Sequence, residues 1–220
     1  MTLLSVITQL FNRSDLTGKF LRTMLGHLAF GVEVILVDNN SQDNTEEVAS
    51  FYTSYTNKIK YIKLDRNYGF SKANNFGVAM ATSDNLLFIS NDVEVRGEII
   101  LPIVHRLTDD CLVGHKYINF NSGWNFFNEL DTPIYYLEGS LIGITRKTHH
   151  EIGGWDERFL IDYEDMDYCY RATRAGKKLV QLDLPTNHLF GQSSDPQKRL
   201  EITLDSQRKF CEKWHFTIKK

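Results

Sequence analysis

The sequence predicts an α/β fold: a mostly parallel central sheet with helices on both faces, completed by a second half of mixed α+β character. Three observations predict it. Over residues 1–97, four short runs rich in β-branched residues alternate with three helix-length segments, the pattern of βαβ units. The runs are nearly continuous in apolar residues, as strands covered on both faces are. After residue 97 the strict alternation is lost.

Leu3–Leu10 is the first strand, and Asn12-Arg13-Ser14-Asp15 turns the chain into a helix running towards Phe30. Ser14 or Asp15 is placed to cap it, and Gly31 to end it. Val32–Val37 (VEVILV) is the second strand, followed by a polar loop to Thr45 and a helix over Glu46–Thr56. Lys58–Leu64 is the third strand. Asn67-Tyr68-Gly69 is a turn, and Ser71 caps a helix reaching Ala81. Asn85–Ser90 is the fourth strand. In the second half, Glu98–Leu107 reads as helix, and Leu112–Phe120 and Tyr135–Ile144 as strands around an aromatic loop, Trp124–Phe127. Tyr163–Ala175 is a helix stopped by Gly176. Lys178–Leu182 is a strand, Asn187–Ser194 a loop, and Pro196–Trp214 a final amphipathic helix. Residues 1–220 read as one domain of two halves, 1–97 and 98–220.

Composition narrows the function classes. The 220 residues bury roughly 70% of their extended surface, enough for one core. Hydrophobic residues make up 42% and charged residues 24%, with a net charge of −3. That balance argues against a nucleic-acid binder. The three cysteines stand far apart, without a CxxC pair, and read as reduced thiols in a cytoplasmic protein. No run reaches the ~18 apolar residues of a membrane span, and the N-terminus lacks a signal-peptide pattern.

In a parallel sheet the ligand crevice lies outside the carboxyl ends of the strands, so polar residues just after a strand come first. Asp38 ends the second strand, where a carboxylate can accept a hydrogen bond from a base or a ribose hydroxyl. Asp43 and Thr45 read as a cap for the next helix. Asn75 lies one helical turn after Ser71, on the same face. Asn91 and Asp92 follow the fourth strand, and a carboxylate there suits Mg²⁺ or Mn²⁺ shared with phosphate oxygens. Glu164, Asp165 and Asp167 open a helix, where acidic residues favour the dipole by about 0.3–1 kcal/mol each. A general base also needs a carboxylate fixed at an element end. Trp155 reads either as core or as a platform for a sugar ring. His188 precedes Gly191 and Ser193, a loop suited to a phosphate or a metal.

These motifs stand in one order: Val37-Asp38-Asn39-x-Ser41-x-Asp43-x-Thr45, Asn67-x-Gly69-Phe70 with Asn75 and Gly77, Asn91-Asp92, Gly153-Gly154-Trp155-Asp156-Glu157, Glu164-Asp165-x-Asp167 with Arg171, and His188-x-x-Gly191-x-Ser193. Together they resemble the family 2 glycosyltransferases, in particular their rhamnosyltransferase-like branch. The resemblance implies a GT-A fold with a Rossmann-like sheet, 1–97 being the nucleotide-binding half and 98–220 the acceptor-binding half. It implies an inverting transfer of a sugar from a nucleotide-diphosphate sugar to an acceptor hydroxyl of a saccharide or glycan, in glycan or polysaccharide synthesis. Asp38, Asn67, Asn75 and Asn91 then match nucleotide-sugar positions. Asp92 and His188 match metal ligands, and Asp165 matches the general base. Trp155, Asp156 and Glu164 match acceptor-side positions.

One departure stands out. The triplet expected to be DxD is Ser90-Asn91-Asp92, without its first carboxylate. That gap motivates an alternative, a nucleotide-sugar-binding module without turnover. A sugar-phosphate nucleotidyltransferase is a further alternative, disfavoured because no glycine cluster follows the first strand.

Overall fold

The computed structural model describes residues 2–28, 31–119, 126–127, 134–189 and 196–218. Its first half runs β1 (Leu4–Leu10), α1 (Ser14–Leu25), β2 (Val32–Asp38), α2 (Thr45–Tyr55), β3 (Ile59–Lys63), α3 (Gly69–Met80), β4 (Asn85–Ile89) and β5 (Val93–Val95). The second half runs α4 (Ile100–Arg106), β6 (Cys111–Gly114), β7 (Tyr117–Asn119), β8 (Phe126–Phe127), β9 (Tyr135–Leu137), β10 (Leu141–Thr145), α5 (Arg146–Glu151), α6 (Glu164–Arg174), β11 (Lys178–Gln181), β12 (Thr186–His188), α7 (Pro196–Trp214) and β13 (Thr217–Ile218). The expected first-helix end at Phe30, the strand end at Phe120, Trp124 of the aromatic loop, and Gly191, Ser193 and Ser194 of the last motif lie outside the described residues.

Seven strands form one sheet in the order β11-β6-β10-β4-β1-β2-β3. Neighbours are parallel except at β10, which runs against both β4 and β6. Strands from both halves of the chain therefore share one sheet. The two-residue period of each strand divides the core. Val32, Val34 and Leu36 of β2 join Leu87 and Ile89 of β4 on one face, with Phe20 and Met24 of α1. Ile35 and Val37 join Leu86 and Phe88 on the other, with Ala73 of α3 and Tyr168 of α6. The edge strand β3 carries Lys60 and Lys63, paired with Glu33 at 2.8 Å and Glu46 at 2.7 Å. Charge on an edge strand discourages pairing with another chain.

The structure departs from the sequence reading where side chains override local signals. Neither Ser14 nor Asp15 caps α1. Both lie inside it, and Asp43 Oδ2 from the next loop accepts the Ser14 N–H at 2.8 Å. Ser71 likewise lies inside α3, which starts at Gly69 (φ +82°). Each of the long second-half strands is broken in two: β6 and β7 by His115-Lys116, β9 and β10 by Glu138-Gly139-Ser140. Part of the expected loop over Asn187–Ser194 is strand instead, since β12 pairs with β5 and sets His188 opposite Val93. Phe126–Phe127, expected in a loop, pair with β13. The three cysteines are free and buried. Among the described residues no helix is long and apolar enough to cross a membrane.

Candidate active site

The reversal of β10 places the turn Glu138-Gly139-Ser140 beside the carboxyl end of β4, with Leu141 opposite Ile89. That turn organises the site. Ser140 O accepts the Ser90 N–H at 2.9 Å, which fixes the start of the Ser90-Asn91-Asp92 segment. Gly139 N–H donates to Asp165 Oδ2 at 2.9 Å. The Glu138 carboxylate receives His188 Nδ1 at 3.1 Å. None of the three was singled out from the sequence. The signal was there: a charged residue and a glycine inside an apolar strand mark a bulge or a close approach.

His188 stands between two carboxylates, with Nε2 3.3 Å from Asp92 Oδ1 and Nδ1 on Glu138 Oε2. Burial works against a charge on His188, but its bonds to Asp92 and Glu138 outweigh burial and raise it to about 9. Burial also opposes the charge on Glu138. Bonds from His115, His188, Lys116 and Ser140 outweigh it and hold the carboxyl far below its ordinary range. So β5 and β12, three residues each, bring together the two residues expected to hold a metal.

Asp165 opens α6 after two non-glycine residues in left-handed backbone, Asp162 (φ +61°) and Tyr163 (φ +68°). Such a pair is strained and persists only when its surroundings hold it. Asp162 is held by Arg199 at 3.1 Å and Thr203 at 2.5 Å, both on α7. Burial pushes the Asp165 carboxyl up to about 7. The charges of Asp162 and Glu138 push the same way, against the N–H groups of Gly139 and Met166 that favour the charged form. A carboxylate poised near neutrality suits a general base. A methyl group added at Gly139 would stand 3.0 Å from Asp165 Cβ and 3.3 Å from Oδ2. Gly139→Ala is therefore expected to lower kcat by about 10- to 100-fold through misplacement of the carboxylate, with Tm nearly unchanged. A kcat within twofold of wild type would count against this placement.

The other residues singled out from the sequence are bonded into the scaffold to different degrees. Asp38 is fully buried, its Oδ1 bonded by the Ser41 N–H and hydroxyl and its Oδ2 by the Tyr61 hydroxyl at 2.6 Å, so it offers no surface to a base. The Asn75 amide donates to Trp155 O at 2.9 Å and accepts the Trp155 N–H at 3.1 Å. It pins the glycine-rich loop to α3. Trp155 is core, not a sugar platform. It is 2% exposed and stacks on Tyr168 at 3.9 Å. Asp156 is ion-paired with Arg158 at 2.6 Å and Lys213 at 2.7 Å, which occupies the carboxylate expected to meet an acceptor. Glu164 is buried, and its Oε2 has no hydrogen-bond partner among the described residues. Burial raises its carboxyl well above the usual range, with Asp165 and Asp162 adding to the effect, so it too gives an acceptor no surface. Asn67 stays exposed at the carboxyl end of β3 and accepts the Gly69 N–H at 2.8 Å. Asn91 is half-buried and donates to Thr17 of α1 at 3.0 Å. Asp43 accepts from the Thr45 N–H and hydroxyl, the capping role expected of it. Asp167 is fully buried, pairs with Arg171 within α6, and joins α6 to α7 through Lys213 and Trp214.

This sheet architecture is shared with solved transferases. A mannosyltransferase from Pyrobaculum calidifontis, solved with GDP-Man and Mn²⁺, superposes with a TM-score of 0.69 at 13% identity, over 95% of this chain and 64% of that one. The fold is the expected GT-A fold. The family model for Glycosyl transferase family 2 matches residues 5–180, and the chain belongs to that family. Glycosyltransferase GlyG of Streptococcus pneumoniae is 25% identical over 160 residues, 70% of this chain and 51% of its own length. Low-salt glycan biosynthesis hexosyltransferase Agl10 of Haloferax volcanii is 22% identical, over 86% of this chain and 70% of its own. The chain thus spans about half the length of GlyG.

Proposed function

We propose that this chain transfers a hexosyl group from a nucleotide-diphosphate sugar to a hydroxyl of a saccharide or glycan acceptor, with inversion at the anomeric carbon. One observation carries the reading: a single turn, residues 138–140, holds both Asp165 and His188 and anchors the strand end leading to Asp92. A base for the acceptor and a cation site for the donor diphosphate then share one crevice.

Asp165 accepts the proton of the acceptor hydroxyl through a carboxylate oxygen. The acceptor oxygen forms a bond to the anomeric carbon from the face opposite the diphosphate. The bond from that carbon to the diphosphate oxygen breaks, and the nucleoside diphosphate leaves with the electron pair. Donor contacts fall to Asn67 and Asn91, both beyond strand carboxyl ends, the first exposed and the second half-buried.

Asp92 and His188 fit a divalent ion. One carboxylate and one imidazole face each other, and such ions take their other ligands from phosphate and water. Among the described residues no group of three or more potential ligands occurs, so the donor's phosphates complete the set. The Pyrobaculum neighbour, solved with Mn²⁺ and GDP-Man, supports Mn²⁺ as the first ion to try, with Mg²⁺ second. When bound, the ion offsets negative charge on the departing diphosphate.

Incubation with Mn²⁺, a panel of UDP-, GDP- and dTDP-sugars and simple saccharide acceptors tests the reading. Product whose new linkage has the opposite anomeric configuration to the donor is expected by ¹H NMR. Retained configuration would rule out the single displacement, and neither transfer nor donor hydrolysis across the panel would favour a binding module. EDTA is expected to abolish transfer and excess Mn²⁺ to restore it. Asp92→Ala is expected to weaken Mn²⁺ binding at least tenfold, and unchanged binding by calorimetry would remove Asp92 from the site.

A further inference from the structure

Glu138 lies outside every motif, yet it is the most heavily bonded carboxylate near the site. Its side chain is about 10% exposed. Lys116 Nζ reaches Oε1 at 2.8 Å. Oε2 takes the Ser140 hydroxyl at 2.8 Å, His188 Nδ1 at 3.1 Å and His115 Nε2 at 3.3 Å. His115 is itself fixed, with Nδ1 on the Thr186 hydroxyl at 2.8 Å and Nε2 on Ser140 Oγ at 2.8 Å. Thr186 and His188 belong to the same short strand, β12. The carboxylate therefore has little freedom to turn away from His188.

Hydrogen accounting then settles the imidazole. A carboxylate gripped by four donors has no proton to give, so His188 Nδ1 must be the donor to Glu138. The other ring nitrogen, Nε2, is directed at Asp92 Oδ1. The side of the ring facing Asp92 takes a positive species, either a second proton on Nε2 or a divalent ion in its place. The Ser90-Asn91-Asp92 segment lacks the first carboxylate of the expected triplet, and Glu138 brings a second negative charge to the same place by way of the imidazole.

We propose that Glu138 is a positioning residue: it holds the proton of His188 on Nδ1, turns Nε2 towards Asp92, and so builds the ligand pair for the divalent ion. This rests on the reading that Asp92 and His188 hold that ion. A ligating histidine commonly hands its second N–H to a carboxylate, and loss of that partner typically weakens metal affinity 10- to 100-fold.

The test is a double-mutant cycle on Mn²⁺ affinity, read from the electron paramagnetic resonance signal of free Mn²⁺, with Tm measured for each variant. Glu138→Gln keeps the size and removes the charge, and is expected to weaken Mn²⁺ binding by about 10- to 100-fold. His188→Ala is expected to weaken it at least as much. The double variant is expected to match His188→Ala, because residues acting through one another are not additive. Unchanged affinity in Glu138→Gln, or additive losses in the double variant, overturns the proposal and leaves the metal reading standing. Wild type and Asp92→Ala binding Mn²⁺ equally overturns both. A readout without variants guards against misfolding: the imidazole ¹⁵N shifts of His188 in wild type with Mg²⁺ are expected to show the proton on Nδ1. A proton on Nε2 overturns the proposal.

Discussion

Replacing Asp165 with Asn is expected to slow glycosyl transfer by about 10²- to 10⁴-fold while the protein still folds. The carboxylate is the proton acceptor in the proposed reaction, and an amide cannot take that proton. One of its two backbone bonds, from Gly139 at 2.9 Å or Met166 at 2.8 Å, would then face an NH₂ group. That costs stability on the order of 1 kcal/mol, far less than the kinetic loss. Donor affinity is expected to stay near wild type, because Asp165 does not hold the diphosphate. The pH dependence follows from a carboxyl pushed up to about 7 by burial. The active form is the deprotonated one, so kcat/KM should fall about tenfold per pH unit below 7 and level off above it. Stability runs the other way. A carboxyl raised from its ordinary 3.8 makes the folded state hold the proton that the unfolded chain has lost. Its contribution is therefore greatest below pH 4 and declines as pH rises towards 7. Near-normal turnover of folded Asp165→Asn, or a flat rate profile from pH 5.5 to 8, would remove Asp165 as the base.

Trp155→Ala is expected to cost about 3–5 kcal/mol of stability, a fall of roughly 6–20 °C in Tm for a chain of this size. The indole joins three elements. It stacks on Tyr168 of α6, and Phe70 of α3 and Phe88 of β4 meet it edge-on at 5.1 and 5.2 Å. Truncation leaves a cavity beneath the helix that carries Asp165. Trp155→Phe fills most of that space and should cost far less. Thermal unfolding separates core from platform: a residue that met the acceptor would raise KM for that substrate and leave Tm in place. The same measurement on Asn75→Ala would show how much of the pin on Trp155 comes from the amide.

The sheet was legible because β1, β2 and β4 are apolar on both faces, and burial on both faces writes itself into every residue of a strand. Asp165 was legible as a carboxylate fixed at the start of a helix. The pairing of His188 with Asp92 was legible only through the family resemblance, since it depends on β5 and β12, each too short to leave a period in the sequence. The Gly153-Gly154-Trp155 segment could be read two ways, because a tryptophan after two glycines looks the same whether its ring faces out or in. Asn75, distant in sequence, decides it by bonding both polar groups of the Trp155 backbone. Glu138 was hidden for a different reason. Its meaning lies in His115, Lys116 and His188, three partners distant in sequence, with only Ser140 close by.

The reversal of β10 bears on which changes of length this chain tolerates. Antiparallel pairing fixes Leu141 opposite Ile89 and Thr145 opposite Asn85. A one-residue slip would send every side chain of β10 to the opposite face. It would also carry Gly139 away from Asp165 and Glu138 away from His188. Surface loops absorb insertions and deletions readily. Between Glu138 and Thr145 the chain instead behaves as a ruler: residues there can be exchanged, but none can be added or removed without losing the base and the cation site together.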